Sequence, residues 1–472
     1  NEMNIQQMYT SCLAQGAYYI ESNGEVAIID PLREVEPYLA KAKKDNAQIK
    51  YIFETHFHAD FVSGHLTLSK ATGAPIIFGP NATTAFDSVI AKDGQDFPLG
   101  DLTVKLLHTP GHTMESSCYL LKDAQNRPYA LFSGDTLFLG DVGRPDLAQK
   151  GDDLSQEDLA IILYDSLRNK IIPLPDSLLI YPAHGAGSAC GKNLSKETVG
   201  TLGDQKKTNY ALRENMSKDE FVKEVTNGLL PPPQYFPLNV KMNKQGYEDV
   251  ALVLQKGTTP ISPHQFEDLA NEMGAVVLDV RHQDEFAKKH IPRSIFIGID
   301  GGFAPWVGTL IGDVKQPILL VTPDGREEET VTRLARVGFD NTLGYLKGGI
   351  AGWEASRNEL DQVESRTAQE LKSHLLKEKS VVVFDVRQES EYISQHMPNA
   401  KNSPLNYIND YFDTFPKDKK FYIHCAGGYR SMIAASILKS RGVHNFIDVA
   451  GGFKAIQKAA IYTTDCICPT TN

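Results

Sequence analysis

Thr55-His56-Phe57-His58-Ala59-Asp60-Phe61-Val62-Ser63-Gly64-His65 sets three imidazoles and a carboxylate within ten residues. The apolar run Ile49 to Phe53 just before it reads as a buried strand. Extended backbone at a strand end has a side-chain period of two, so it aims His56, His58 and Asp60 into one cleft. Neutral imidazoles with a carboxylate form a borderline ligand set that suits Zn, Mn or Fe better than Ca or Mg. The plainer alternative is a polar loop whose histidines only cap backbone groups. Single histidines often do that; a cluster this dense does not.

Outward from this loop, short apolar runs alternate with helical patterns. Val26 to Ile29, Ile76 to Phe78, Leu102 to Leu107, Tyr129 to Ser133 and Ser177 to Tyr181 read as strands. Val35 to Lys44, Leu66 to Thr72 and Leu159 to Leu167 read as helices. Such interleaving predicts layers of helix packed on sheet. Three of the strands deliver further candidate ligands at their C-terminal ends: His112 in Pro110-Gly111-His112-Thr113, Asp135 in Ser133-Gly134-Asp135-Thr136, and His184 in Pro182-Ala183-His184-Gly185. Loops held at strand ends by a rigid sheet are where layered folds put their chemistry. Taken singly, His112 or His184 would pass for a hydrogen-bonded core histidine; taken with His56, the ligand reading prevails.

The chain has 472 residues, enough for about three domains. A formal charge of -11 with no offsetting basic block argues against nucleic acid or an anionic membrane as partner. No apolar run approaches the roughly 18 residues of a membrane span, and no leader pattern opens the chain, so the reading expects a cytoplasmic protein. Six scattered cysteines make no disulfide framework and fit a reducing compartment with one or two functional thiols. The triple proline Pro231-Pro232-Pro233 is a stiff extended segment, and a domain boundary is expected near Lys256 to Ser262.

Beyond that boundary the chain repeats itself. Val277-Leu278-Asp279-Val280-Arg281, Glu285-Phe286 and His290-Ile291-Pro292 are answered by Val383-Phe384-Asp385-Val386-Arg387, Glu391-Tyr392 and His396-Met397-Pro398. Gly348-Gly349 is answered in turn by Gly451-Gly452. Matched residues at matched spacing over about a hundred residues mean duplicated domains. In the second copy Cys425 ends a strand and opens Ala426-Gly427-Gly428-Tyr429-Arg430 ahead of a helix. Successive backbone N–H groups and a helix N-terminus there favour a thiolate, and equally a persulfide. The first copy reads Thr322-Pro323-Asp324-Gly325-Arg326-Glu327-Glu328, with no cysteine and three acidic groups opposed to an anion.

His56-x-His58-x-Asp60, then His112, Asp135 and His184 in their motifs, resemble the metallo-β-lactamase superfamily over residues 3–255. The repeats resemble rhodanese sulfurtransferase domains, an inactive one over 262–358 and an active one over 364–465. The fold class expected is a multidomain α/β and α+β chain: a metallo-β-lactamase αββα sandwich, then two rhodanese-like α/β domains. Thioester hydrolases of the glyoxalase II type carry a second histidine after the motif aspartate, whereas this chain has Phe61, which cannot coordinate. The persulfide dioxygenases of the superfamily use the triad that remains, His56, His112 and Asp135. Gly140 to Asp146 and Gly185 to Gly191 also resemble theirs.

The resemblance implies one Fe(II) per chain, with Zn as the alternative. It further implies oxidation of a low-molecular-weight thiol persulfide by O2 to sulfite and free thiol. Glutathione, coenzyme A and bacillithiol all remain open as the carrier. His58, Asp60 and His184 would support the ligands or serve an alternative metal. Arg144 would hold an anionic substrate or form a surface ion pair, and Cys190 would hold a persulfide or simply fill space. The rhodanese resemblance implies that Cys425 is a sulfur-accepting nucleophile, Arg430 an electrostatic aid, and Ala426, Gly427, Gly428 and Tyr429 the substrate cradle. Thiosulfate is then a further product or substrate. A homodimer or higher homo-oligomer suits the superfamily. The alternative function is a glyoxalase II-like zinc thioester hydrolase with a sulfur-carrier domain.

Overall fold

The computed structural model describes residues 3–148 and 153–467. The chain forms two compact units, one running to Val250 with Ala335–Gly338 added, the other comprising Ala251–Leu334 and the residues from Phe339 on.

The first unit is built on two six-stranded sheets. One runs Asn4–Thr10, Gln15–Ser22, Glu25–Ile29, Gln48–Phe53, Ile76–Phe78, Val89–Ile90. The other runs Gly200–Thr201, Leu179–Pro182, Pro128–Gly134, Ser117–Lys122, Leu102–His108, Asp96–Leu99. Alternation decides which face is buried: in Leu102–His108, Leu102, Val104 and Leu106 turn inward. They meet Tyr18, Ile20, Phe53 and Ile77 of the other sheet in the central core. Helices Glu36–Lys44 and His65–Thr72 cover the outer face of the first sheet through Tyr38, Ala42 and Leu68. Helices Gln156–Ser166 and Lys218–Thr226 cover the second through Ala160, Leu163, Phe221 and Val225. The result is a four-layer αββα sandwich. Ser155 and Ser217 start the last two helices with reciprocal capping boxes, as Ser-x-x-acid sequences favour.

The Pro231–Pro233 segment carries no regular structure, yet the first unit does not end there. Helix Phe236–Gln245 follows it and returns to the histidine-rich loop.

The second unit holds two five-stranded sheets of parallel strands. The first has the order Pro260–Ile261, Thr342–Leu346, Ile318–Val321, Val276–Asp279, Ile295–Phe296. The second repeats it with Ser365–Arg366, Phe446–Val449, Phe421–His424, Val383–Asp385, Lys401–Asn402. The duplication extends to register, since Asp279 pairs with Val321 as Asp385 pairs with His424. It extends to backbone conformation as well: Gly325 and Gly428, four residues after those strand ends, both have positive φ (+77° and +110°). Among the described residues, no helix is long and apolar enough to cross a membrane.

Candidate metal centre and sulfur-carrier loop

The metal loop follows strand Gln48–Phe53 directly, and the other candidate ligands follow strands Leu102–His108, Pro128–Gly134 and Leu179–Pro182. All four strand ends bring their ligands to one buried centre. Asp135 Oδ2 lies 3.4 Å from His56 Nε2 and 3.1 Å from His112 Nε2. One ligand atom each from His56, His112 and Asp135 lies within 4.8 Å of the others. The far side of each ring is already engaged: His56 Nδ1 with Thr55 Oγ1 at 3.0 Å, His112 Nδ1 with the Arg144 carbonyl at 2.9 Å. An Nδ1–H donated to that carbonyl leaves the His112 Nε2 lone pair facing the centre, the tautomer a metal needs. Asp135 Oδ2 is fully buried with no hydrogen-bond partner among the described residues. An orphaned carboxylate oxygen between two imidazole nitrogens fits a divalent cation.

His58, Asp60 and His184 form a second group of ligand atoms within 4.8 Å of one another. His184 Nδ1 bonds Asp135 Oδ1 at 2.7 Å, and its Nε2 lies 2.7 Å from Asp60 Oδ2 without hydrogen-bond geometry. Burial would lower its pKa, but the carboxylates of Asp135 and Asp60 outweigh this and raise it well above the usual imidazole range. Burial likewise opposes ionisation of Asp135, and His184 and His56 nonetheless hold its pKa well below the usual carboxylate range. Phe61 is fully buried, with its ring centroid 4.5 Å from that of His58 and 6.5 Å from that of His184. A phenyl ring thus lies beside the second group.

Behind the ligands is a polar layer that sequence reasoning missed. Asp30 accepts from the Thr55 N–H at 2.9 Å and from its hydroxyl at 2.7 Å, and its Oδ1 lies 3.1 Å from His58 Nε2. Glu115 Oε1 accepts the Phe57 N–H at 3.0 Å. Asn243 clasps the loop: its Nδ2 donates to the carbonyls of His58 (2.9 Å) and Phe61 (3.0 Å), and its Oδ1 accepts the Ser63 N–H (2.9 Å). Asn243 lies about 180 residues along the chain from that loop, and nothing local marks it. His65, the remaining imidazole of the stretch, opens helix His65–Thr72 and pairs its Nε2 with the Asn243 carbonyl at 3.1 Å. Burial pushes its pKa down to about 3.

Arg144 is held inside the protein. Its Nε and Nη2 donate to the two oxygens of Asp146, both at 2.7 Å, and its Nη1 donates to the Ala189 carbonyl at 3.1 Å. Its ion pair with Asp146 is buried rather than at the surface. Its backbone bears on the site instead, since its N–H donates to the Cys190 carbonyl at 2.9 Å while its carbonyl accepts from His112. Gly143, next to it, has no room for a side chain: a Cβ there would stand 2.0 Å from the Asp135 carbonyl oxygen and 2.8 Å from His112 Nδ1. Cys190 is buried, with its sulfur in one group with Asp135 and His184. Burial, then Asp60 and Asp135, push its thiol pKa well above the ordinary value.

In the second unit, Cys425 follows strand Phe421–His424, and helix Tyr429–Ser440 begins four residues later. The Gly428 N–H donates to Cys425 Sγ at 3.0 Å, and Ser431 Oγ lies 3.5 Å away. The Cys425 and Ala426 carbonyls are turned from the sulfur, accepting N–H groups of Phe453 (2.7 Å) and Lys454 (3.1 Å) from the next helix. Arg430 makes a two-pronged pair with Glu391, at 2.6 and 3.0 Å. Counting from the matched strand ends, the first repeat has Thr322 for Cys425 and Glu327 for Arg430, while Glu285 matches Glu391. There the charge at the loop is inverted.

The Metallo-beta-lactamase superfamily model matches residues 12–184, and the Rhodanese-like domain model matches residues 262–356 and 367–459. The mitochondrial persulfide dioxygenase ETHE1 of Bos taurus is 30% identical over 221 residues, covering 46% of this chain and 78% of that protein. A hydroxyacylglutathione hydrolase of Polaromonas sp. is 31% identical over 240 residues, covering 45% of this chain and 86% of that protein. The crystal structure of a metallo-beta-lactamase from Staphylococcus aureus subsp. aureus COL superposes with a TM-score of 0.65 at 31% identity, covering 73% of this chain and 99% of that one.

Proposed function

We infer the function from one premise: the chain belongs to the metallo-beta-lactamase superfamily and carries two rhodanese-like domains after its sandwich. We propose that it is an iron-dependent persulfide dioxygenase whose Cys425 carries sulfur as a rhodanese does. The observation that carries this reading is the buried His56, His112 and Asp135 group with Phe61 beside the second set of ligand atoms. Two imidazoles and one carboxylate suit a non-haem Fe(II) site, whereas a two-metal hydrolytic site loses a ligand at Phe61.

Bound by His56, His112 and Asp135, Fe(II) would supply open coordination positions and the redox chemistry that joins a persulfide sulfur to O2. The overall change is RSSH + O2 + H2O → RSH + H2SO3, in which the outer sulfur gives up four electrons and O2 accepts them. The protein's own groups hold the site. Thr55 and the Arg144 carbonyl fix the two imidazole rings, His184 holds Asp135 Oδ1, and Phe61 and Phe138 keep water from His184 and His58. Cys190 borders Asp135 as a neutral thiol, which suits a substrate-facing wall.

At the second centre the Cys425 thiolate attacks the outer sulfur of a persulfide, forming Cys425–S–SH and releasing the carrier thiol. Sulfite attacking that outer sulfur gives thiosulfate and regenerates Cys425. The Gly428 N–H supports the Cys425 thiolate, and Arg430, paired with Glu391, lends the loop a local dipole rather than a bare charge.

A second reading, a zinc thioester hydrolase, is favoured by the close grouping of His58, Asp60 and His184. One measurement decides between them. Protein purified without O2 is assayed for metal and for O2 uptake with glutathione persulfide. The expected result is about one iron per chain and sulfite in step with O2, from a site with a single triad. Two zincs per chain, with thioester cleavage and no O2 uptake, would overturn the proposal.

A further inference from the structure

Tyr429 stands beside the sulfur-carrying cysteine, yet its side chain turns to the cysteine-less repeat. Its hydroxyl donates to the Gly298 carbonyl at 2.5 Å, and its ring meets Phe296 edge-on at 5.9 Å and 71°. Two glycines of the first repeat form the seat. A Cβ on Gly301 would fall 2.2 Å from Tyr429 Cζ, and one on Gly298 3.0 Å from Cε2. The first excludes any side chain while the ring is in place, and the second leaves one only a tight fit.

The same helix, Tyr429–Ser440, is tied a second time: Ser436 Oγ accepts the Phe296 N–H at 2.9 Å, fully buried. Residues 429 and 436 are two helical turns apart and share a face. Two fixed points on one face set both the rotation and the advance of the helix against strand Ile295–Phe296. The helix begins one residue after Gly428, whose N–H meets Cys425 Sγ. The matching residue of the first repeat, Arg326, reaches instead to Asp300 (2.9 Å) and Glu329 (2.9 Å), so the arrangement is not reciprocal.

We propose that the cysteine-less repeat positions the sulfur-carrying loop: Gly298, Gly301 and Phe296 seat Tyr429, and that seat sets where the Gly428 N–H meets the sulfur of Cys425. Tyr429 is thereby a positioning residue, and the first repeat acts on chemistry it cannot itself perform. The proposal rests on the reading of Cys425 as the sulfur carrier.

The test uses the full chain with Gly301→Ala, Tyr429→Ala and Tyr429→Phe. Amide hydrogen exchange is read over the Cys425–Ser431 peptide. Sulfur loading from glutathione persulfide is read as single-turnover gain of one sulfur on that peptide. Gly301→Ala and Tyr429→Ala each speed exchange in this peptide and lower the maximal loading rate about fivefold, as expected for weakening one hydrogen bond to an anion. Half-saturation by the donor in Gly301→Ala stays within about twofold, because Gly301 lies outside the loop that receives the donor. Tyr429→Phe, which keeps the ring in its seat, falls between them and wild type. Wild-type exchange and loading in both alanine variants would overturn the proposal. Should Gly301→Ala not fold, Tyr429→Ala, which adds no clash, decides alone. If wild type loads no sulfur while the variants still change exchange, the carrier reading fails and the seat stands. If wild type loads sulfur and exchange is unmoved, the seat fails.

Discussion

Replacing Asn243 with alanine removes three hydrogen bonds from the metal loop at once, those to the His58 and Phe61 carbonyls and from the Ser63 N–H. Each such bond contributes about 1 kcal/mol net, and each buried group left unpaired costs about 1–3 kcal/mol where water cannot follow. Asn243 is 1% exposed, so the loss should come to about 3–5 kcal/mol. For a unit of this size that lowers the melting temperature by roughly 10 °C. Asn239 is the control: it is one turn earlier on the same helix, is fully buried too, and has no hydrogen-bond partner among the described residues for either side-chain atom. Asn239→Ala should cost under about 1 kcal/mol, since no made bond is lost. Differential scanning calorimetry of the full chain reads both, the transition of the first unit being the one that a chelator displaces. Equal losses in the two variants would refute the idea that the Asn243 clasp, rather than burial of an amide, holds the loop.

Three other outcomes are expected, the first two on the proposed function of the two centres and the third from a buried carboxyl outside them. Cys425→Ser should abolish thiosulfate sulfur transfer while O2 uptake with glutathione persulfide stays within about twofold, because the nucleophile belongs to the carrier step alone; loss of both would mean the sites are not separable. Chelation should lower the first unit's melting temperature by about 5–10 °C, the loss of roughly 2.7 kcal/mol expected of a ligand held at a hundred times its Kd, and Asp135→Asn should remove that response. Asp448, fully buried on strand Phe446–Val449, has its pKa pushed up to about 7 by burial. A carboxyl whose folded pKa exceeds its unfolded value of 3.8 contributes stability in full below that value and loses it as pH rises through about 7. Urea unfolding of wild type against Asp448→Asn should therefore diverge between pH 4 and 7 by an amount on the order of a few kcal/mol, the variant being the more stable at the upper end; parallel curves would exclude a shifted carboxyl.

The residues legible in the sequence share one property: each lies next to a strand that its own apolar run announces. His56, His112, Asp135, His184 and Cys425 all follow such strands within four residues. The repeat was legible because residue matches accumulate at fixed spacing. Asp30, Glu115 and Asn243 were not, because they reach the loop from segments about 25, 60 and 180 residues away, and no local pattern encodes such a meeting. Strand Asn4–Thr10 also escaped, since its alternation is mostly between polar side chains, Asn-Ile-Gln-Gln-Met-Tyr-Thr. Arg144 shows the limit for charged groups: nothing in the sequence says that the guanidinium beside the motif is buried against Asp146.

On the proposed function, the Glu327-for-Arg430 exchange bears on how sulfur would move through a chain with two look-alike loops. A sulfur oxyanion set free in solution meets the same loop shape twice, with the same positive-φ glycine. At one copy it finds a paired arginine and a thiol. At the other it finds Glu285 and Glu327 with threonine in the cysteine's place. On the proposed function, the loop of the first repeat is disarmed by these carboxylates and by the missing thiol, so sulfur is held only where Cys425 stands.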